Sequence, residues 1–154
     1  MPGAKIFVDT NVLLYAVDET ELVKGPLAQQ WLLSLMHHGA GSANLQVLNE
    51  TTNLLLKHRR DVHPTDVFAI VDRFSRLGAQ PLGAKEVSLA RALRLRLRYS
   101  WWDCLLLASA LELGCTHFLS EDLQDGQTIE DGGSRSLTIL SPFAHSPEQL
   151  FSSP

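Results

Sequence analysis

The sequence predicts an α/β fold, a parallel sheet covered by helices on both faces. Two observations carry the prediction. Short runs that are apolar throughout, such as Ile6-Phe7-Val8 and Phe118-Leu119, stop abruptly at polar residues, as strands buried on both faces do. Between these runs lie longer stretches whose apolar residues recur at helical spacing, and strands alternating with helices favour a parallel sheet.

The first strand is Ile6-Phe7-Val8, followed by Asp9-Thr10-Asn11 and a helical run, Val12 to Ala16. Lys24 to Met36 places Leu27, Trp31, Leu32, Leu35 and Met36 at helical spacing, and Gly39 and Gly41 break it. Gly41-Ser42-Ala43 reads as a short strand end, with Ser42 or Asn44 starting the next helix. That helix, Leu45 to His58, turns Val47, Thr51, Leu54 and Leu55 to one side. Thr65 to Arg76 is amphipathic through Val67, Ile70, Val71 and Phe74. Ala79-Gln80-Pro81-Leu82 is expected as a short edge strand. Ala84 to Tyr99 is a helix with Val87, Ala90, Leu93 and Leu97 on one side and Arg91, Arg94 and Arg98 on another. Ser100 opens a nearly all-apolar helix to Leu113; Trp101 and Trp102 could stack a base, but packing is expected of both. Thr116 to Ser120 and Ser136 to Ser141 are the closing strands.

A chain of 154 residues fits one domain, 1–154, with a core over about 5–143 and a tail over 144–154. No apolar run is long enough for a membrane span and no signal peptide pattern is present, so the chain is expected to be cytoplasmic. Cys104 and Cys115, eleven residues apart, match neither a zinc site nor a redox pair and read as reduced core residues. The net charge of −4 does not point to nucleic acid, yet an acidic pocket loaded with metal attracts phosphate locally.

Four acids stand where a solvated acid would not. Asp9 ends a buried strand, where α/β sheets collect ligands, although Asp also suits a helix cap there. Glu50 falls between Val47 and Leu54 at the edge of an apolar stripe. Asp103 opens a buried helix within Ser100-Trp101-Trp102-Asp103, which also has the form of a capping box. Asp122 follows a strand end much as Asp9 does, in a turn where Glu121 and Asp125 offer substitutes. Parallel topology can bring all four to one crevice. Two like charges about 4 Å apart cost roughly 4 kcal/mol at an effective dielectric near 20, so such acids either share protons or hold a hard divalent cation. All-oxygen ligands favour Mg²⁺ or Mn²⁺.

Asp9-Thr10-Asn11, Gln46-Val47-Leu48-Asn49-Glu50, Trp102-Asp103 and Ser120 to Gly126 together resemble the signatures of PIN-domain ribonucleases, most of all VapC-like toxins of toxin–antitoxin pairs. The resemblance implies a three-layer α/β/α sandwich with a central parallel sheet of about five strands. It also implies a metal-dependent endoribonuclease, a hydrolase, with Asp9, Glu50, Asp103 and Asp122 as its acids and Thr10 and Asn11 in support. Mg²⁺ or Mn²⁺ is the implied cofactor. RNA is the implied substrate, and a VapB-like antitoxin and a second copy of the chain are the implied partners. Arg91, Arg94 and Arg98 are candidate phosphate contacts, though exposed helix faces carry such residues anyway. One alternative is a haloacid-dehalogenase-like phosphatase, but the second Asp it needs is Asn11 here. Another is a non-catalytic protein whose acids hold metal or a basic partner.

Overall fold

The computed structural model describes residues 3–151, so the last three residues of the tail, 152–154, lie outside it. Seven helices and five strands are found among the described residues. β1 (Ile6–Val8) lies next to the middle of a sheet ordered β2-β1-β3-β5-β4, with β2 (Gly41–Ser42) on one side and β3 (His117–Leu119) on the other. β2, β1, β3 and β5 (Ser136–Leu140) run parallel. β4 (Thr128–Glu130) pairs antiparallel with β5.

β1 is fully buried along its length, as an unbroken apolar run between two helical layers must be. Ile6 faces His117, Phe7 faces Phe118 and Val8 faces Leu119. The Phe7 and Phe118 rings stack with centroids 5.3 Å apart. β1 and β3 therefore end level, and Asp9 N–H donates to the Leu119 carbonyl at 3.0 Å.

The helices are α1 (Thr10–Val17), α2 (Lys24–His38), α3 (Leu45–His58), α4 (Pro64–Phe74), α5 (Ala84–Arg96), α6 (Trp101–Glu112) and the short α7 (Glu148–Phe151). α6 is buried continuously from Cys104 to Leu111, matching its unbroken apolar sequence. Asn44 caps α3 by accepting from Val47 N–H at 2.9 Å, while its amide donates to Ser109 Oγ of α6, also at 2.9 Å. That buried bond ties the α3 start to α6. Trp31 of α2 sends its indole N–H to the carbonyls of Pro142 and His145, so the tail is strapped across α2. Both cysteines are buried and free. Among the described residues no helix is long and apolar enough to cross a membrane.

The structure corrects three sequence expectations. Ala79 to Leu82 forms no strand, only a single parallel bridge from Gln80 to Asn44. Pro81 has no N–H to extend the ladder. The fifth strand is instead β4, and it makes the sheet mixed rather than wholly parallel. Only Ile129 of β4 is buried, too little apolar pattern to read from sequence. α5 stops at Arg96, because Leu97 turns extended at φ −106° and ψ 153°. Released from the helix, Tyr99 reaches the side chain of Gln127 and accepts from Gln124 N–H at 3.1 Å.

Candidate active site

β1 and β3 deliver Asp9 and Ser120 side by side at the carboxyl end of the sheet. Asp9 caps α1: its Oδ1 accepts from Thr10 N–H at 2.7 Å. Its Oδ2 accepts from Ser120 Oγ–H at 2.8 Å and from the Asn11 amide at 3.1 Å. The capping role and the buried-acid role expected of Asp9 thus coexist.

Every partner of Asp9 is neutral. The residue is only 6% exposed, so its charge has lost most of its water without gaining a cation. Burial pushes the Asp9 carboxyl up from 3.8 to about 7. The Ser120 and Thr10 hydrogen bonds oppose the shift, and the nearby charges of Asp103 and Asp122 add to it. Asp103 and Asp122 therefore share this end of the sheet with Asp9.

Asn11 joins two of the acids. Its amide nitrogen is shared among Asp9 Oδ2, Ser120 Oγ at 3.0 Å and Asp122 Oδ2 at 3.2 Å. Its carbonyl oxygen accepts from Glu121 N–H at 3.2 Å, and Ser120 Oγ accepts from Asp122 N–H at 3.1 Å. Thr10 joins the next acid, its Oγ–H donating to Glu50 Oε2 at 3.0 Å. Gln46, one turn earlier on α3, donates to the other Glu50 oxygen at 3.3 Å. Asp103 stands in the first turn of α6, its N–H satisfied by Ser100 Oγ at 3.1 Å.

The neighbours of Asp122 are engaged elsewhere. Glu121 is ion-paired with Lys24 and accepts from Tyr15 O–H at 2.5 Å. Burial raises the Glu121 carboxyl, but Lys24 and Tyr15 together hold it below its ordinary value. Asp125 accepts from Ser141 N–H at 2.8 Å and from His145 Nε2 at 2.9 Å. Asp122 is the acid of this turn that stays exposed while bonded to Asn11.

The donor chemistry suits a hard divalent cation: carboxylate oxygens only, one of them buried with its charge uncompensated. Among the described residues, however, no three acids are already drawn in to metal-ligand spacing. Asn11 and Thr10 span the gaps between them.

The PIN domain family model matches residues 6–124, which take in Asp9, Glu50, Asp103 and Asp122. The chain belongs to the PIN domain family. Solved structures agree with this at the level of fold. A chain of VapBC2 from Rickettsia felis, bound to a DNA fragment from its promoter, superposes with a TM-score of 0.63 at 17% identity, covering 88% of this chain and 97% of that one. VapC20 from Mycobacterium tuberculosis, a toxin that cleaves the sarcin-ricin loop, superposes with a TM-score of 0.57 at 23% identity, covering 77% and 92%. Among curated proteins no sequence relative matches.

Other parts of this PIN domain were placed less well by sequence. Ser120 was not singled out, although it ends β3 as Asp9 ends β1 and so carried a readable signal. The Lys24–Glu121 pair, 97 residues apart in the chain, left none. Trp101 packs half-buried against the core as expected, but Trp102 does not pack and is 62% exposed. Arg91, Arg94 and Arg98 are all exposed. Burial raises the Cys104 thiol, Arg94 opposes that and Asp103 adds to it.

Proposed function

We propose that this chain is a metal-dependent endoribonuclease, the VapC-like toxin of a toxin–antitoxin pair acting in the cytoplasm. The observation that carries the reading is Asp9, buried among neutral donors with Asp103 and Asp122 close enough to oppose its charge. Membership of the PIN family and the toxins named among its structural neighbours support it.

In this reading Asp9, Asp103 and Asp122 hold Mg²⁺ or Mn²⁺, and Glu50 either joins them or orients the attacking water. Bound there, a divalent ion would supply a lowered water pKa and charge stabilisation at the phosphoryl oxygens. Thr10 and Gln46 fix the two Glu50 oxygens, so the carboxylate faces one way. Asn11 and Ser120 set the spacing of Asp9 and Asp122. In-line attack by water leaves 5′-phosphate and 3′-hydroxyl ends. Arg91, Arg94 and Arg98 guide the RNA backbone towards the acids.

A groove of about 640 Å³ between α2 and α4, lined by Leu33, Met36, Ile70, Phe74, Arg73 and Arg76, suits an apolar segment of the antitoxin. Leu95, 89% exposed on α5, is a candidate contact between two copies of the chain. Incubating purified protein with unstructured RNA, with and without EDTA, and sequencing the ends tests the reading. Cleavage should require the metal and yield 5′-phosphates. Cleavage untouched by EDTA, or 2′,3′-cyclic phosphate ends, would overturn it.

A further inference from the structure

We propose that the groove beside Glu50 is a nucleobase subsite, which holds one unstacked base of single-stranded RNA next to the phosphodiester to be cut. The proposal rests on the ribonuclease reading and goes further, naming how a sequence would be chosen.

The groove has a volume of about 620 Å³ and runs between the outer face of α3, the Pro81-Leu82 turn and the start of α6. One wall is Trp102. The following helix from Cys104 to Leu111 is buried throughout, yet this indole stays 62% exposed. An exposed indole is a surface on which any base can stack. The α3 side of the lining is Gln46, Asn49 and Asn53, spaced three and four residues apart on one face of α3. Gln46 spends a donor on Glu50, while the Asn49 and Asn53 amides each offer both donors and an acceptor, the complement of a Watson–Crick edge. Asn49 and Asn53 are exposed, and their side-chain amides have no hydrogen-bond partner among the described residues.

Glu50 also lines the groove and is linked to the acid end through Thr10. It is the only charged group in the lining, so the groove suits an uncharged ring rather than a phosphate. Lys57, one turn beyond Asn53 on the same face, is exposed outside the lining. A second copy of the chain is a poorer occupant, since it would bury Asn49 and Asn53 and would have to satisfy both amides.

The test compares wild type with Trp102→Ala, Trp102→Phe and Asn49→Ala/Asn53→Ala on a random-sequence single-stranded RNA pool, with cut sites mapped by sequencing. Trp102→Ala should raise KM about ten-fold with kcat nearly unchanged, and Trp102→Phe should recover most of the loss. Asn49→Ala/Asn53→Ala should relax base preference at one position flanking the cut. Wild-type cutting with the same KM and the same preference in Trp102→Ala would overturn the subsite alone. So would a Trp102→Ala protein that sediments as a smaller species and regains full cleavage at high protein concentration, because the groove would then be a contact between copies. Wild-type protein that cuts no RNA would remove the ribonuclease reading, and the subsite with it.

Discussion

At the carboxyl end of the sheet Asp9 meets only neutral donors, whereas at the opposite end Glu112 and Asp131 close on one guanidinium. Arg135, just before β5, contacts Glu112 Oε1 at 2.9 Å and Asp131 Oδ2 at 2.8 Å. The hydrogen bonds from Arg135 hold both acids below their ordinary range. The first cluster pushes its central carboxyl up to about 7 and the second pushes its acids down. Acids that fold for stability find their cation within the chain. Acids left with amides and hydroxyls keep a negative charge that a proton or an outside cation must balance. Glu121 shows both rules within two residues, since it is matched by Lys24 while Asp122 beside it is not.

The largest test of this contrast is activity. Asp9→Asn should lower RNA cleavage at least about 100-fold, beyond the loss usual for a residue that only supports a metal ligand, with circular dichroism unchanged. Arg135→Ala should cut at the wild-type rate. Equal losses in both variants would erase the distinction.

The second test is stability in divalent-free buffer. The folded-state value of Asp9 lies above its unfolded one, so its contribution is complete below pH 3.8 and is lost as pH rises through about 7. Asp9→Asn should therefore be more stable than wild type at pH 8 and should lose that advantage towards pH 4. The upper bound is about 4 kcal/mol, from three units at roughly 1.4 kcal/mol each, less the hydrogen bonds that the amide cannot accept. Thermal melts across this range decide it. A gap that widens on acidification would contradict the uncompensated burial.

Metal sharpens the same point. Mg²⁺ at ten times its Kd should stabilise wild type at pH 8 by about 1.4 kcal/mol and leave Asp9→Asn unmoved. Fourth, alanine at Arg91, Arg94 and Arg98 together should flatten the salt dependence of RNA binding by about two units of log–log slope. An unchanged slope would show them to be ordinary surface residues. The smallest effect belongs to Arg135→Ala, a slight drop in melting temperature at pH 7. Glu112 and Asp131 are depressed, so their contribution exists above the ordinary carboxylate range and fades as pH falls below it. The variant and wild type should therefore melt together in strong acid.

Much of the site was legible because the chain marks it locally. Ile6-Phe7-Val8-Asp9 declares a buried strand with an acid at its end, and Ser100 with Asp103 declares a helix start. Glu50 could be placed by its position between Val47 and Leu54. What was not legible depends on distant pairing. Nothing near Glu121 names Lys24 as its partner. Ile129, one buried residue in three, could not announce β4. Trp102 was read as core because large aromatics usually are, and only the direction of the first turn of α6 shows otherwise.

The level ending of β1 and β3 has a consequence for synthesis. Asp9 and Ser120 are 111 residues apart, and their meeting depends on Phe7 lying against Phe118. A slip of one residue would send Ser120 to the other face. A nascent chain that already carries Asp9, Glu50 and Asp103 still has no third strand to align them. The acid end can therefore come together only once the last quarter of the chain has left the ribosome.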